Sequence, residues 1–136
     1  MKTGNITKKN RIMAEKQIKL VSNAPLYKDV RTLLNNVLDI TPEFPRAYKY
    51  TIGGDMHRLA VSLLQNVAAA YMDKPNRVHH LNNFRAEFET LKTLIRIAGE
   101  RRWIKGIGRH ALIVELMDAI GKQSTAWKNS LSPNSE

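Results

Sequence analysis

Histidines and carboxylates are the side chains of this sequence that could support catalysis or metal binding. The four histidines are His57, His79, His80 and His110. No two of them have the i, i+4 spacing that places two metal ligands on one helix face, and no HExxH or ExxH motif occurs. His79 and His80 would project about 100° apart on a helix. The sequence therefore predicts no metal site.

The twelve carboxylates are scattered along the chain. Glu87 and Glu89 would lean to opposite faces of a helix, so no pair is spaced for general acid–base chemistry. Gly106 and Gly108 form a GxG that lacks a preceding strand and is too short to indicate a phosphate-binding loop. A Ser-His-Asp arrangement stays open, although no residue points to one. We therefore predict a non-enzymatic protein with no catalytic residue and no cofactor.

Basic residues are the strongest chemical signal in the sequence. The 136 residues include 22 Lys or Arg and 12 Asp or Glu, which gives a formal net charge of +10. A small protein with this excess attracts polyanions, chiefly nucleic acid and less often an anionic membrane. The alternative is that the charges only keep a small domain soluble.

Composition also indicates a compartment. The chain has no cysteine, which is typical of a reducing interior. No apolar run follows the charged residues of the N-terminus, so we expect no secretory signal. The uncharged residues 59–72 are too short and too polar to span a bilayer. We expect one cytoplasmic domain without a membrane segment.

Residues 1–24 are predicted to form a basic N-terminal arm. Six basic residues and Glu15 give this segment a charge of +5. Such arms are usually disordered alone and become ordered on a polyanion. The alternative is that part of the arm extends a first helix, because Ile12, Ile18, Leu20 and Val21 add apolar character. At the other end, residues 131–136 are predicted to be a frayed tail.

Residues 25–130 are predicted to contain four amphipathic helices. The first begins at Pro25, which suits a first helical turn, and ends at Thr41, because Pro42 disfavours helical geometry in the residue before it. The others run over about residues 46–72, 76–102 and 107–129, each with an apolar stripe at helical spacing. No strand pattern occurs. The fold class is therefore an all-α, antiparallel up-down-up-down four-helix bundle.

The second predicted helix has two unusual features. Gly53 and Gly54 near its start either permit close approach of another backbone, which we favour, or mark a helix that begins at Asp55. Farther along, the face opposite the core is small and uncharged, as in a helix packed on two sides. We therefore predict that it contacts a second copy of the chain. The candidate oligomer-interface residues are Val61, Ser62, Gln65, Ala68 and Ala69.

Basic residues of the predicted helices form the candidate nucleic-acid-binding set. Arg85, Lys92 and Arg96 would share about 40° of arc beside the core stripe of the third helix, although pairing with Glu89 is a simpler role for them. The full set is Arg46, Lys49, Arg58, Arg85, Lys92, Arg96, Arg101, Arg102, Lys105 and Arg109. Gathered in an assembly, such residues would bind the phosphate backbone with little sequence reading.

One segment carries a family resemblance. Phe44-Pro45-Arg46, followed by Tyr48-Lys49-Tyr50-Thr51-Ile52-Gly53, resembles the FPR…T-aliphatic-G signature of accessory variability determinant (Avd) proteins of diversity-generating retroelements. It is equally similar to four-helix-bundle proteins encoded by intervening sequences in bacterial 23S rRNA genes. The likeness covers about residues 26–129, through Leu63-Leu64, the segment 88–98, and Ile120-Gly121 followed by Trp127. Gly54 departs from the polar residue that we expect at its position.

This resemblance implies a homopentameric ring of four-helix bundles with a positively charged surface. It also implies binding to RNA or DNA and to a reverse transcriptase, in support of mutagenic cDNA synthesis, with no catalytic residues. Two alternatives stay open. The protein could dock on a reverse transcriptase through protein contacts with its charge incidental, or it could be an rRNA-intervening-sequence relative without a reverse transcriptase partner.

Overall fold

The computed structural model describes residues 8–131, apart from the side chains of residues 17–19. The α-helices of this range are α1 (Lys8–Asn23), α2 (Pro25–Ile40), α3 (Arg46–Lys49), α4 (Ile52–Met72), α5 (Arg77–Glu100) and α6 (Arg109–Leu131). Short 3-10 turns over Thr41–Glu43 and Lys74–Asn76 precede α3 and α5. Residues 8–131 contain no strand. The all-α prediction is confirmed.

Four of the five long helices, α2, α4, α5 and α6, form a closed bundle. α4 packs on α2 and α5, and α6 completes the ring of helices by packing on both α5 and α2. Gln123, late in α6, donates a hydrogen bond of 2.6 Å to Asp29, early in α2, so these two neighbours are antiparallel. The predicted helical bundle is confirmed. None of the described helices has both the length and the apolarity needed to cross a bilayer.

The core follows the apolar stripes read from the sequence. On α5, six stripe residues are at most 3% exposed: Leu81, Phe84, Phe88, Leu91, Ile95 and Ala98. Burying each large apolar side chain stabilises the fold by about 1.5–3 kcal/mol. On α6, the buried set is Ile113, Met117, Ile120 and Ser124. The core stripe of α6 therefore includes one serine, whose hydroxyl donates to the carbonyl of Gly121 at 3.1 Å.

The described part of the N-terminal segment is helical. Residues 8–23 form α1, which contacts α2 and α4. Val21 near its end is 6% exposed, and burial of this side chain gives the segment a fixed point on the bundle. Ile12 and Leu20 stay more than half exposed. α1 ends at Asn23 and α2 begins at Pro25, so α1 is a separate helix and does not extend α2. Residues 1–7 of the predicted arm and 132–136 of the predicted tail lie outside the described residues.

The predicted second helix is interrupted. Tyr50 and Thr51 separate α3 from α4, Thr51 having ψ −77°, and α4 begins at Ile52 rather than at Asp55. At Gly54, no other part of the same chain makes the predicted close approach, because nothing outside its own stretch of helix lies within 4 Å of the position of its missing Cβ. At Gly53 a Cβ would make an ordinary 3.5 Å contact with Thr41.

Candidate nucleic-acid interface

Two connectors meet at one end of the bundle and carry most of the predicted nucleic-acid-binding residues. The α2–α4 connector passes through α3, and the α5–α6 connector joins the end of α5 to the start of α6. Their aromatic rings meet where Phe44 lies 5.2 Å from Trp103. We call the cations of these connectors the basic end: Arg46, Lys49, Arg101, Arg102, Lys105 and Arg109.

The FPR segment of the first connector buries its phenylalanine and exposes its arginine. Phe44 is 3% exposed, and its backbone N–H donates to the carbonyl of Thr41 at 3.1 Å. The carbonyl of Pro45 then accepts from the N–H groups of Tyr48 and Lys49 at 2.8 and 3.0 Å, which closes the one helical turn of α3. Arg46 stays exposed on that turn. A buried anchor thus holds a cation at the surface.

The second connector begins with a Schellman motif that contains an unusual residue. The N–H of Trp103 donates to the carbonyl of Ala98 at 2.9 Å, and the N–H of Arg102 donates to that of Gly99 at 3.0 Å. This motif requires a left-handed residue after the helix, which is usually glycine. Here the residue is Arg102, with φ 64°. A left-handed conformation costs an L-residue about 1–2 kcal/mol, so α5 ends with a strained cation.

Aromatic rings and one guanidinium stack between the two connectors. The Tyr48 ring lies nearly parallel to that of Trp103, with centroids 4.7 Å apart and planes 24° apart. The guanidinium carbon of Arg101 is 5.8 Å from the Tyr48 centroid and 5.5 Å from the Trp103 centroid. Trp103 is only 8% exposed. The stack fixes α3 against the end of α5 and holds the Arg101 charge beside two π faces.

The basic end has few opposing charges. Over residues 41–51 and 100–109, which are the two connectors with the adjoining residues of α5 and α6, the carboxylates are Glu43 and Glu100, against these six cations. The salt bridges found within residues 8–131 involve other side chains, so no cation of the basic end is paired in this way. Unpaired cations close together attract phosphate groups. The two carboxylates therefore leave these segments with a formal charge of +4, from six cations minus two carboxylates.

The predicted basic edge of α5 borders a groove between α5 and α6 of about 880 Å³. Arg85, Lys92 and Arg96 all line it, as their shared arc predicted. Lys92 pairs with Glu89 at 2.8 Å and lies 5.1 Å over the ring of Phe88. Ion pairing with Glu89, the simpler role predicted for this edge, therefore applies to Lys92. Arg85 and Arg96 form no salt bridge with a described residue.

Two other cations are less available. Arg58, a predicted nucleic-acid-binding residue, forms an ion pair with Asp55 one turn earlier on α4. At the opposite end of the bundle, Arg77 donates to the carbonyl of Ala70 at 2.6 Å and lies 5.5 Å over Trp127. Burial raises the pKa of the neighbouring Tyr71 hydroxyl, although the charge of Arg77 opposes this. Arg77 is thus held by structural contacts.

The predicted oligomer-interface residues divide into two groups. Val61 and Gln65 are exposed on α4, and Ala68 and Ala69 are half-buried. Ser62 instead faces α5, where its hydroxyl donates to both carboxylate oxygens of Glu87 at 2.9 and 2.8 Å. This hydrogen bond links α4 to α5 within one chain.

The histidines have structural partners that spacing did not predict. His57 forms a 2.6 Å hydrogen bond with the buried hydroxyl of Thr41. The ring of His110 lies so close to the backbone of Gly99 that a Cβ there would overlap it. Its Nε2 atom is buried and has no hydrogen-bond partner among the residues that the structure describes. A glycine on α5 facing a large side chain on α6 is visible only when the two helices are in place.

Fold and site together define an all-α helical bundle with a cluster of unpaired cations at one end. The family model described as bAvd-like matches residues 12–131, and the chain belongs to this family of accessory, non-catalytic proteins. The predicted Avd resemblance is confirmed. A search of curated proteins finds no match to the chain.

Proposed function

We propose that this protein is a cytoplasmic accessory protein of a diversity-generating retroelement that binds RNA or DNA. The basic end is the observation that carries the proposal, because it has six cations against two carboxylates and none of the six forms a salt bridge with a described residue. Arg85 and Arg96 extend the same positive surface along the α5–α6 groove. Membership of the bAvd-like family supports the retroelement role.

The salt dependence of binding tests this proposal. If four phosphates of a single strand are neutralised, log K falls with log salt at a slope of about −2.8, which weakens binding roughly 50-fold between 50 and 200 mM salt. Fluorescence anisotropy with a labelled RNA measures this slope. Binding that does not change over the same salt range would refute the proposal.

A matched pair of double variants locates the site. Arg46→Ala with Lys105→Ala removes two exposed cations of the basic end, and the slope should become less negative by about 1.4. Lys28→Ala with Lys74→Ala removes two exposed cations near the opposite end, and the slope should stay near that of the wild type. Equal losses for both pairs would indicate attraction by net charge alone.

We also propose that the protein associates with a reverse transcriptase and supports mutagenic cDNA synthesis. The retroelement family supports this role. Co-purification of the enzyme after nuclease treatment in high salt tests a direct protein contact. Loss of the enzyme under these conditions would mean that nucleic acid alone bridges the two proteins.

Finally, we propose that the chain assembles as a homopentameric ring through the exposed side of α4. Val61 and Gln65 lie there as a neutral surface. Light scattering should give five times the 15.5 kDa chain mass, and Val61→Glu should reduce it while helicity is kept. Ser62→Glu is a poorer test, because the new carboxylate would face Glu87 within the chain. A wild-type monomer would refute this assembly.

A further inference from the structure

The basic end also exposes aromatic surface that the fold does not use. Tyr50, the residue that ends α3, is 80% exposed. It makes no hydrogen bond and no ring contact with any described residue. Tyr48 rests one ring face on Trp103, yet 38% of the residue stays exposed. Two tyrosines are thus offered to solvent within one turn of chain.

These tyrosines lie among cations rather than on an apolar surface. Lys49 separates them in the sequence, and the guanidinium of Arg101 lies beside Tyr48. Phosphates attracted by such cations would bring nucleobases next to the rings. Bases stack on aromatic side chains whatever their identity, because every base has a π face. In a duplex the base faces are already stacked on one another, so only unpaired bases can use such rings.

The strain at Arg102 supports a functional reason for the composition of this end. Glycine would adopt the left-handed conformation after α5 without steric strain, yet an arginine occupies this position. Strained residues persist where the surrounding structure holds them and often lie at functional sites. Here the strained residue is a cation that directly precedes Trp103, and the Trp103 ring supports Tyr48.

We infer that the basic end is a single-strand site, in which Tyr50 and Tyr48 stack unpaired bases while the surrounding cations bind the phosphates. This inference rests on the proposed nucleic-acid binding and names its substrate class. Tyr50 is the residue to change, because it has no structural partner. Tyr48 is less suitable, because its removal would also disturb the packing on Trp103.

Three labelled oligonucleotides of about 12 units, within the size range of known single-strand sites, test this inference: an oligo(dT), an abasic strand with the same phosphates, and a duplex. Loss of one stacked base should weaken binding roughly 5- to 150-fold. The affinity of Tyr50→Ala for oligo(dT) should therefore fall by at least about 5-fold, whereas its affinity for the abasic strand and for the duplex should change by less than about two-fold. Tyr50→Phe, which keeps the ring, should bind oligo(dT) like the wild type.

The control variant is Ile107→Ala, because Ile107 is a fully exposed apolar residue of the α5–α6 connector without an aromatic ring. It should bind all three probes like the wild type. Equal affinity of the wild type for oligo(dT) and the abasic strand, or equal losses of Tyr50→Ala on both, would overturn the single-strand inference and leave the proposed function standing. Absence of salt-dependent binding to any probe would overturn the proposed function itself.

Discussion

Replacing Arg102 by alanine or by glycine should separate the backbone strain at the end of α5 from the charge of its guanidinium. Both variants remove the same exposed cation from the basic end. Alanine keeps a Cβ at the left-handed position with φ 64°, whereas glycine removes it. The two variants therefore differ only in strain and in the freedom of the unfolded chain.

The expected stability difference follows from two opposing terms. Relief of the left-handed strain favours glycine by about 1–2 kcal/mol. The greater conformational freedom of unfolded glycine opposes this by about 0.5–1 kcal/mol. Arg102→Gly should therefore be more stable than Arg102→Ala by about 1 kcal/mol, or about 3–5 °C in Tm for a domain of this size. Loss of a cation after the C-terminus of α5 costs both variants a further ~0.3–1 kcal/mol.

Binding should respond differently from stability. If Arg102 contacts a phosphate of a single strand, both variants should show a salt slope less negative by about 0.7. Urea unfolding followed by circular dichroism measures the stability, and anisotropy titration measures the slope. Greater stability of Arg102→Ala than of Arg102→Gly, by the ~0.5–1 kcal/mol that glycine loses at an ordinary position, would show that residue 102 is not left-handed in solution. An unchanged slope in both would exclude Arg102 from the phosphate contacts.

Two further substitutions test other contacts of the bundle. Gly99→Ala places a Cβ against the ring of His110; overpacking costs about 1–3 kcal/mol, while alanine regains about 1 kcal/mol of helix propensity. Urea unfolding should therefore show a net loss of stability, which the second substitution His110→Ala largely reverses. A Gly99→Ala variant more stable than the wild type would contradict this packing. Hydrogen bonds from His80 and Asn76 lower the pKa of Asp73. The contribution of Asp73 to folding stability is therefore complete above the ordinary carboxyl pKa and is lost as pH falls through the lowered pKa. Asp73→Asn should make the stability of the protein less dependent on pH in this acid range, and an unchanged pH dependence there would contradict the prediction.

Periodicity predicted those parts of the fold that depend on one helix at a time. The stripe on α5 is buried as expected, because side chains at i, i+3 and i+4 share a face whatever the helix packs against. The same rule predicted that Arg85, Lys92 and Arg96 lie along one edge, and all three line the groove. Pro25 and Pro42 marked the start and end of α2 to within one or two residues.

Features that join distant segments could not be predicted in this way. Trp103 received no role from the sequence, because its partners Phe44 and Tyr48 are more than fifty residues away and on another connector. The interface role assigned to Ser62 overlooked Glu87 for the same reason. The sequence likewise did not predict that Tyr50 faces solvent, because its exposure depends on the break before α4.

The sequence by itself determined that this protein is a basic, cysteine-free bundle of helices with an Avd-like FPR segment. These properties follow from composition, local spacing and a short motif, none of which needs a partner elsewhere in the chain. Tertiary structure decided where the charge is concentrated, since the two connectors meet only when α4 and α5 pack side by side. It also decided that Arg102 is left-handed and that two tyrosines lie among the cations, because both depend on how α5 ends and what its last turn touches.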